Sequence, residues 1–578
     1  MRACVYTITK NEEQFAERFM KACAGAACVV VLDTGSTDKT VEKFQQLGAV
    51  VHVQEFKPWR FDHARNRNLE LIPTDIDVCL AIDADEILMP GWLEALKKVW
   101  KDGVTRVRYK YVWSWTDETT PGHWFYADKI HARHGYVWKH PVHEALYPIN
   151  QGEKYATSEI VVEHRADNTK SRGSYLPLLE LAVKEDPDDD RRSHYLAREY
   201  YFYKKHAEAE KEFLRHLSLP RAQWGAERAA SCRYIAKVRQ ELKDENGRLK
   251  WLLQAVAECP SERDPWLDLA KCYYDRQDHL STYWAAKCGL RITDRVVNYI
   301  STNEAWGEKL HDLVGVSAWY AGLKGESREH SITAWRMNPH DQRLASNVKM
   351  VRTLLGERPQ IKLLWPTVRP AIFKERIKEW KDRAVEPSRI NVEVAVNTLE
   401  QRMELSSLTV ANSVIIVGDE RRGVTHAAYE LTKRVDGLPG DIVILASDDF
   451  HPPQGWDEWV LSQFNGFGGC LVVRDGEQLR NCVRIPIMDF SCLVALNRIT
   501  YHPSYRHMWS DNELFDVLQE KGLLRDLRDS SPPFEHRHWF DGKRPGDDVD
   551  KLVLSWNKED EQNYQIRLAL PLKTKLTV

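Results

Sequence analysis

Two acidic motifs in the first part of the chain have the residue types of a site for a metal ion and phosphates. They are Asp33-Thr34-Gly35-Ser36-Thr37-Asp38 and Asp83-Ala84-Asp85. Carboxylate oxygens are hard ligands that suit Mg²⁺ or Mn²⁺, and a metal ion bound by one or two carboxylates usually carries substrate phosphates as well. The two motifs therefore predict a divalent cation and a phosphorylated ligand.

Each motif follows a segment with the pattern of a buried strand. Val29 to Leu32 and Val78 to Ile82 are continuous apolar runs closed by turn-forming residues, which is typical of parallel strands covered on both faces. In an open α/β sheet the ligand lies outside the carboxyl ends of the strands, so both motifs should converge on one site. The alternative for Asp33 to Ser36 is a turn with a helix cap, because Asp and Ser are favoured there too.

The order and spacing of these motifs, together with Lys10-Asn11-Glu12-Glu13, resembles family 2 glycosyltransferases of the GT-A fold. The resemblance covers roughly the first 165 residues. It implies that Asp33 and Asp38 bind the base and ribose of a nucleotide-diphospho-sugar. It also implies that Asp83 contacts this donor and that Asp83 and Asp85 hold Mn²⁺ or Mg²⁺ on its diphosphate.

The resemblance suggests roles for three further residues. In the family an Ala-Arg-Asn at the place of Arg65 and Asn66 contacts the nucleotide sugar, so both residues are candidates for phosphate or base contacts. Capping by Asp62 with a solvated basic face would explain part of the same pattern. His164 follows a predicted strand and is similar to the histidine that forms the third metal ligand in many GT-A enzymes. A purely structural histidine is the alternative.

A transfer that inverts the anomeric carbon needs a base that removes the acceptor proton. The segment Val142-His143-Glu144 resembles an element of family relatives that carry helical repeats, and we predict that Glu144 is the base. Asp128 is the rival candidate. Arg106 to Val112 alternates like a strand with one basic face, which is a candidate lining for the acceptor groove.

After residue 173 the sequence predicts helices without strands. Pro187, Pro220 and Pro260 recur at spacings close to the roughly 34-residue period of tetratricopeptide repeats. We therefore predict about three to four degenerate repeats up to about residue 350. Such a solenoid offers a concave face for a polymer or a peptide, and a plain helical spacer is the alternative.

Strand patterns return near residue 360 and predict a second acidic site. Asp448 and Asp449 follow an apolar run and precede Gly455-Trp456, as Asp83-Ala84-Asp85 precedes Gly91-Trp92. The resemblance implies that Asp448 and Asp449 bind the metal ion, that His536 or His538 completes its ligands, and that Asp511 is the base. Asp511 as a helix N-cap is the alternative. This half lacks a counterpart of the Asp33 to Asp38 motif.

The predicted fold is α/β with three parts: a GT-A domain over 1–170, a TPR-like helical region over 171–355 and a second GT-A-like domain over 356–578. No apolar run of about 18 residues is present, so we expect a soluble, cytoplasmic protein without a membrane span. The net charge of −3 gives no general reason to expect nucleic-acid binding.

The resemblance implies a metal-dependent inverting glycosyltransferase. Three acceptor classes stay open: a polysaccharide, a peptide or protein, and a hydroxymethylated base of viral DNA. The basic strand that begins at Arg106 and the many aromatic residues suit the last class. The alternative from another functional class is an inactive scaffold that binds partners through its helical repeats.

Overall fold

The structure is a computed structural model. It describes residues 1–101, 103–116, 120–149, 152–165, 173, 175–406, 411–417, 423–476, 481–537 and 546–578. The chain divides into two compact units, Met1–Leu313 and Val314–Val578. This division falls within the helical region, and the predicted three-domain boundaries after residues 170 and 355 stay predictions.

The first unit begins with a mixed eight-stranded sheet of order β3-β2-β1-β4-β7-β6-β10-β5, and β8 and β9 form a separate hairpin. The strands are β1 (Ala3–Thr9), β2 (Cys28–Asp33), β3 (Val50–Val53), β4 (Val78–Ala81), β5 (Glu86–Leu88), β6 (Arg106–Val112), β7 (Trp124–Ala132), β8 (Tyr136–Lys139), β9 (Ala145–Pro148) and β10 (Tyr155–His164). Its helices are α1 (Ala16–Ala22), α2 (Thr40–Gln46), α3 (Phe61–Leu71) and α4 (Trp92–Val99).

The parallel strands of this sheet bring the two acidic motifs together. Strand β1 pairs in parallel with β2 on one side and with β4 on the other. The segments that leave the carboxyl ends of β2 and β4 therefore start at the same edge of the sheet. Both strands are almost completely buried, as their apolar sequences predict. The predicted α/β class of the N-terminal part is confirmed.

Helices follow the first sheet without an intervening strand among the described residues before β11. They are α5 (Tyr175–Glu185), α6 (Asp190–Phe202), α7 (His206–Ser218), α8 (Gly225–Glu241), α9 (Glu245–Glu258), α10 (Arg263–Asp275), α11 (His279–Leu290), α12 (Lys309–Tyr320), α13 (Lys324–Met337) and α14 (Gln342–Leu354). Helices α6, α9 and α11 each begin after an aspartate whose side chain accepts a hydrogen bond from the first turn: Asp189, Asp244 and Asp278. The predicted helical middle region is confirmed.

The second unit contains a seven-stranded sheet of order β13-β12-β11-β14-β17-β16-β18 and a two-stranded β15-β19 sheet. Its strands are β11 (Ile361–Pro366), β12 (Ile390–Val396), β13 (Ser413–Ile416), β14 (Ile442–Leu445), β15 (Phe450–His451), β16 (Cys470–Val472), β17 (Ile487–Asp489), β18 (Leu524–Asp526) and β19 (Glu535–His536). Its helices after α14 are α15 (Pro370–Asp382), α16 (Leu399–Ser406), α17 (Gly423–Arg434), α18 (Trp456–Gln463), α19 (Phe490–Ala495), α20 (Ser510–Glu520), α21 (Asp548–Leu568) and α22 (Leu572–Lys575).

The two large sheets share one strand order. In both, the first strand lies between the second and the fourth, and the fourth pairs with an antiparallel strand. In the first sheet β10 pairs in parallel with β6, and in the second sheet β18 pairs in parallel with β16 in the same way. The predicted second α/β domain is therefore confirmed at the level of its fold. None of the helices in the described ranges is long and apolar enough to cross a membrane.

Candidate active site

The first acidic motif forms a tight loop after β2. The buried Asp33 carboxylate accepts hydrogen bonds from the backbone N–H groups of Gly35 and Ser36, at 3.0 and 2.8 Å, and from the Thr9 hydroxyl at 3.1 Å. Gly35 has a φ of 106°, which favours glycine at this place. Asp33 therefore organises the turn, as the turn alternative predicts, and its contact with a nucleotide stays a prediction.

Asp38 lies at the exposed end of the same loop. Its carboxylate accepts hydrogen bonds from the N–H groups of Thr40 and Glu13, at 3.0 and 3.3 Å. Burial would raise the pKa of Asp38, but the hydrogen bonds of Thr40 and Glu13 outweigh it and lower the pKa. Asn11 accepts a hydrogen bond from the N–H of Thr37 at 2.8 Å. The loops after β1 and β2 thus form one hydrogen-bonded unit beside Asp33.

A cluster of buried charges lies around Asp83. The Arg65 guanidinium donates through Nη2 to Asp83 and through Nε to Glu144, both at 2.6 Å. Lys129 from β7 places its Nζ 3.3 Å from the second oxygen of Asp83 and 3.9 Å from Glu86. The Asp83 N–H in turn donates to Glu86 at 2.8 Å. Two cations and three carboxylates therefore share one small volume.

The pKa values of this cluster follow from its charges. Burial would raise the pKa of Asp83, but the positive charges of Arg65 and Lys129 hold it well below its usual range. Burial raises the pKa of Glu86 above its usual value, and the charge of Asp83 adds to this effect. The side chain of Arg65 is only 4% exposed. Arg65 therefore holds Asp83 and Glu144 in fixed positions, with its guanidinium 5.2 Å from the centre of the Trp138 ring.

The amide of Asn66 faces a neighbouring strand. Its Nδ2 donates to the carbonyl oxygen of Trp138, and its Oδ1 accepts from the N–H of Trp138, both at 2.8 Å. Helix α3 begins after Arg60, and Asp62 makes an ion pair with Arg60 instead of capping the helix. Asn66 thus ties α3 to β8, and its predicted contact with the nucleotide sugar stays a prediction.

Asp85 and His164 meet beside this cluster. The distance between Asp85 Oδ2 and His164 Nε2 is 3.3 Å, and the N–H of Arg165 donates to the Asp85 carbonyl at 3.1 Å. His164 stacks on Trp113 and bonds the Trp113 carbonyl through Nδ1 at 3.2 Å. Burial would lower the pKa of His164, but the Asp85 carboxylate outweighs it and raises the pKa.

Asp85 and His164 have side chains of the types that bind divalent metal ions. The Trp113 carbonyl can only accept, so Nδ1 carries hydrogen and the lone pair of a neutral ring lies on Nε2, facing Asp85. Either a proton on Nε2, which the raised pKa of His164 favours, or a bound cation can join these two atoms, and a backbone carbonyl on the other ring nitrogen is the usual support of a metal-bound histidine. Within the described ranges no group of three His, Cys, Asp or Glu side chains has the arrangement of a complete metal site. Asp85 and His164 fit Mn²⁺ or Mg²⁺ only if other ligands, such as phosphates and water, supply the rest.

Asp128, the rival base, lies away from these contacts. Its carboxylate pairs with Arg106 at 3.2 Å and is 42% exposed, and its carbonyl oxygen accepts from Arg106 Nε at 2.9 Å. Glu144 belongs to the Asp83 cluster through Arg65, whereas Asp128 does not. The structure therefore places Glu144, and not Asp128, in direct contact with the other predicted site residues.

The second unit repeats the Asp85–His164 pair. Asp449 Oδ2 lies 3.3 Å from His536 Nε2, and the N–H of Arg537 donates to the Asp449 carbonyl at 2.9 Å. Glycines at positive φ precede the next helix in both units, Gly91 at 88° and Gly455 at 69°. The predicted resemblance between the two acidic sites thus extends to the geometry of this pair. His538 lies outside the described residues.

Asp448 and Asp511 differ in their surroundings. Asp448 accepts hydrogen bonds from Trp365 Nε1 and Thr367 Oγ1, both at 2.9 Å, and burial raises its pKa to about 6. Helix α20 has Trp509 at its N-cap, so Asp511 does not cap it. Burial raises the pKa of Asp511, and the charge of Arg484 acts in the opposite direction.

Strand registers show which residues of the first site the second unit lacks. Leu80 pairs with Ile130 as Ile444 pairs with Ile487, so Pro486 stands at the position of Lys129. The same alignment sets Asp449 against Asp85, and therefore Ser447 against Asp83. The β1–β2 and β11–β12 registers set Val396 at the position of Asp33. The matching burial patterns of α3 and α17 set Ala428 at the position of Arg65.

The residues that differ between the two units are the charged residues of the cluster around Asp83. The positions of three carboxylate or cationic partners, Asp83, Arg65 and Lys129, carry uncharged side chains in the second unit. Asp449 and His536, which occupy the positions of Asp85 and His164, are retained. The second unit therefore keeps the pair that resembles a metal site and lacks the charged cluster beside it.

Comparison with known proteins bears on the N-terminal part of the chain. Residues 4–144 match the model of the family named Glycosyl transferase family 2. This match confirms the resemblance that the motifs indicate and supports glycosyltransferase activity for the segment that holds Asp33, Arg65, Asp83, Asp85 and Glu144. No curated protein matches the chain.

Solved structures resemble the chain over about a third of its length. They include MamA protein, with 13% identity, 30% of this chain and 85% of its own covered, and a TM-score of 0.24. YrrB, a TPR protein with an unusual peptide-binding site, has 11% identity, coverages of 31% and 84%, and a TM-score of 0.26. The pilF protein of Pseudomonas aeruginosa has 11% identity, with 31% of this chain and 72% of its own covered, and a TM-score of 0.24. TM-scores this low carry no argument about function.

The sequence motifs do not predict three residues that take part in the charged cluster. Lys129, Glu86 and the Tyr111 hydroxyl, which donates to Glu86 at 2.7 Å, belong to no motif that indicates a site. The only signal for Lys129 is a lysine within a strand pattern, which usually indicates a solvated face. Its burial depends on the antiparallel pairing of β7 with β4, a contact that the sequence pattern does not specify.

Proposed function

We propose that the first domain is a glycosyltransferase that moves a sugar from a nucleotide-diphospho-sugar to an acceptor. The observation that supports it most is the meeting of three groups at one sheet edge: the Asp33 loop, the Asp83–Arg65–Glu144 cluster and the Asp85–His164 pair. They lie in, or next to, the segment that matches the glycosyltransferase family. Each group supplies one part of a donor and acceptor site.

In this proposal the donor lies across the carboxyl ends of β1, β2 and β4. The loop of Asp33 and Asp38 binds the nucleoside, and Asp85 with His164 would hold Mn²⁺ or Mg²⁺ at the diphosphate. A bound divalent cation supplies charge neutralisation for the departing diphosphate. Asp83 binds neither the metal ion nor the donor in this scheme, because its two carboxylate oxygens already pair with Arg65 and Lys129.

Glu144 is the proposed base. An acceptor hydroxyl forms a bond to the anomeric carbon while the bond from that carbon to the diphosphate oxygen breaks, and Glu144 takes the hydroxyl proton. The configuration at the anomeric carbon is inverted and no covalent sugar–enzyme intermediate is needed. The side chain of Glu144 is 10% exposed and bonds Arg65 at 2.6 Å, so it is oriented before the acceptor arrives.

Among its described residues, the second domain does not repeat the charged residues of this donor site. Val396, Ala428, Ser447 and Pro486 cannot replace the carboxylates and cations of the first domain, although Asp449 and His536 keep the geometry of the metal-ligand pair. We therefore propose one nucleotide-sugar site per chain, in the first domain. The second domain would take part without binding a nucleotide in the same way.

The test is donor cleavage across a panel of nucleotide sugars with Mn²⁺ or Mg²⁺, using the intact chain and its Asp85→Asn variant. Asp75→Asn is the matched control, because Asp75 is exposed, pairs with Arg2 and precedes the amino end of β4. We expect cleavage of at least one donor by the wild type and the control, and loss in Asp85→Asn. Cleavage that persists in Asp85→Asn contradicts the assignment, and no donor bound by any form favours the scaffold alternative.

The acceptor test follows with the donor so identified. The panel holds an oligosaccharide, a peptide and hydroxymethylated DNA, which represent the three predicted classes. Transfer to one class identifies the acceptor. A DNA acceptor carries an additional signature, because its binding should weaken steeply with salt.

A further inference from the structure

The loop that carries Glu144 has an unusual backbone. It connects β8 and β9 and contains two non-glycine residues in the left-handed region, His140 with a φ of 83° and His143 with a φ of 49°. Residues in such sparsely populated regions cost free energy and persist only where the surroundings fix them. The contacts of this loop therefore show what holds Glu144 in place.

One contact comes from the α/β domain. The N–H of Phe61, the first residue of α3, donates to the carbonyl oxygen of Pro141 at 3.0 Å. Because Arg65 lies one turn further along α3, the same helix binds both the loop and the Glu144 carboxylate. This contact fixes one side of the loop.

The other contacts come from the first two helices of the helical region. Val142 is 1% exposed and packs in one apolar cluster with Leu179 of α5 and Leu196 of α6. The His143 ring lies 4.5 Å from the ring of Tyr195 and 5.6 Å from that of Tyr175, measured between ring centres. Val142 is thus buried against α5 and α6, and the exposed His143 contacts one tyrosine ring from each of these helices.

Arg192 of α6 makes the polar part of this contact. It is 2% exposed, and its Nη2 donates to the carbonyl oxygen of His143, the residue before Glu144, at 3.1 Å. Its Nε lies 3.8 Å from Asp189, the N-cap of the same helix. Asp189 also lies 3.8 Å from the His140 ring. The start of α6 therefore touches both left-handed residues of the loop.

We propose that helices α5 and α6 belong to the catalytic unit and hold the Glu144 loop in its reactive conformation, with Arg192 and Tyr195 as positioning residues. The inference deepens the proposed function, and it rests on that function for the role of Glu144. It assigns the start of the helical region a task that neither an acceptor-binding solenoid nor a plain spacer requires.

The experiment compares the full-length wild type with Arg192→Ala and with Tyr195→Leu, which removes the ring at His143 while keeping apolar volume. Arg276→Ala is the control, because Arg276 is exposed and hydrogen-bonds Glu245 and Asn246 at the start of α9, three helices after α6. The first readout is hydrogen exchange of the peptide that spans residues 136–148. The second is kcat and KM for the donor.

We expect exchange of this peptide to rise about tenfold or more in both variants, while peptides from β1 and β2 keep the wild-type rate. We expect kcat to fall roughly 10- to 100-fold with the donor KM within about twofold, because misplacement of a catalytic group by about 1 Å costs this much. Arg192→Lys should recover part of kcat, since a lysine keeps a donor at this place.

The outcomes separate this inference from the proposed function. Unchanged exchange in both variants, or a changed exchange with wild-type kcat, overturns the inference even if the wild type transfers sugar. A wild type that transfers no sugar overturns the proposed function, while the exchange result still decides whether α5 and α6 hold the loop. Exchange that rises everywhere in Arg192→Ala indicates global destabilisation, in which case Tyr195→Leu decides.

Discussion

Replacing Arg65 by Met should leave a buried carboxylate without its partner. Arg65 bonds Asp83 and Glu144, but Asp83 keeps Lys129 as a second cation. Among the described residues, Arg65 is the cation that pairs with Glu144. The substitution therefore acts mainly on Glu144, whose side chain is 10% exposed.

The magnitude follows from the geometry of this pair. Opposite charges whose centres are about 4 Å apart attract by about 4 kcal/mol at the effective dielectric constant of roughly 20 that suits such sites. Removal of one partner of a buried pair costs about 3–5 kcal/mol. We expect Arg65→Met to cost this much, and Glu144→Gln added to it to cost little more, because the orphan charge is then gone. The coupling energy between the two positions should be about 2–4 kcal/mol.

The assay is a double-mutant cycle read by the slowest-exchanging amides of β1 and β4, which report opening of the domain that contains the pair. Arg67→Met is the matched control on the same helix. Arg67 is 43% exposed and pairs with Glu70, so its loss should cost less than about 1 kcal/mol. A coupling energy below about 0.5 kcal/mol, or equal costs for Arg65→Met and Arg67→Met, would refute this account of the cluster.

Three further predictions concern the metal, the nucleotide and pH. Asp85→Asn should weaken Mn²⁺ binding by the chain roughly tenfold or more, measured from free Mn²⁺ by electron paramagnetic resonance, whereas Asp75→Asn should not. Calorimetric titration with the nucleoside diphosphate of the donor should give one site per chain, which Asp449→Asn leaves intact; two equal sites would contradict the loss of the cluster in the second domain. Glu227 of α8 is 3% exposed. Burial would raise its pKa, but the His216 ring 3.4 Å away, a hydrogen bond from the Tyr299 hydroxyl and the charge of Arg191 lower it to about 2. Because the pKa of Glu227 is lowered in the folded state, its ionised form stabilises the fold above the ordinary pKa near 4.3, and this contribution is lost as pH falls toward 2. Glu227→Gln should therefore cost roughly 3 kcal/mol at pH 7 and progressively less below about pH 4. Hydrogen exchange of the α8 amides measures this cost.

The sequence predicts the strands of the first site better than the contacts between its side chains. Val29 to Leu32 and Val78 to Ile82 indicate buried strands because their apolar runs are continuous, and β2 and β4 lie there. Parallel pairing with β1 then places the acidic motifs at one edge, which is a general property of α/β sheets. The closeness of Asp85 and His164 follows only from the antiparallel pairing of β10 with β5, which sets His164 opposite Glu86.

The cluster around Asp83 could not be predicted for a different physical reason. Its geometry depends on where its cations lie: packing of α3 against β1 and β8 buries Arg65, and pairing of β7 with β4 brings Lys129 to Asp83. The same holds for Asn66, where a motif indicates a ligand contact and the structure shows hydrogen bonds with the backbone of Trp138. Local patterns specify elements, whereas side-chain partners arise from long-range pairing.

The uncharged residues of the second domain make its change hard to reverse. A single Ala428→Arg substitution would place a guanidinium at a fully buried position without a carboxylate at Ser447, and Ser447→Asp alone would lack its cations. An unpaired charge of this kind costs several kcal/mol, a large part of the stability of a domain. Restoring the charged cluster one residue at a time would therefore pass through destabilised proteins, so several simultaneous substitutions separate the second domain from the arrangement of the first.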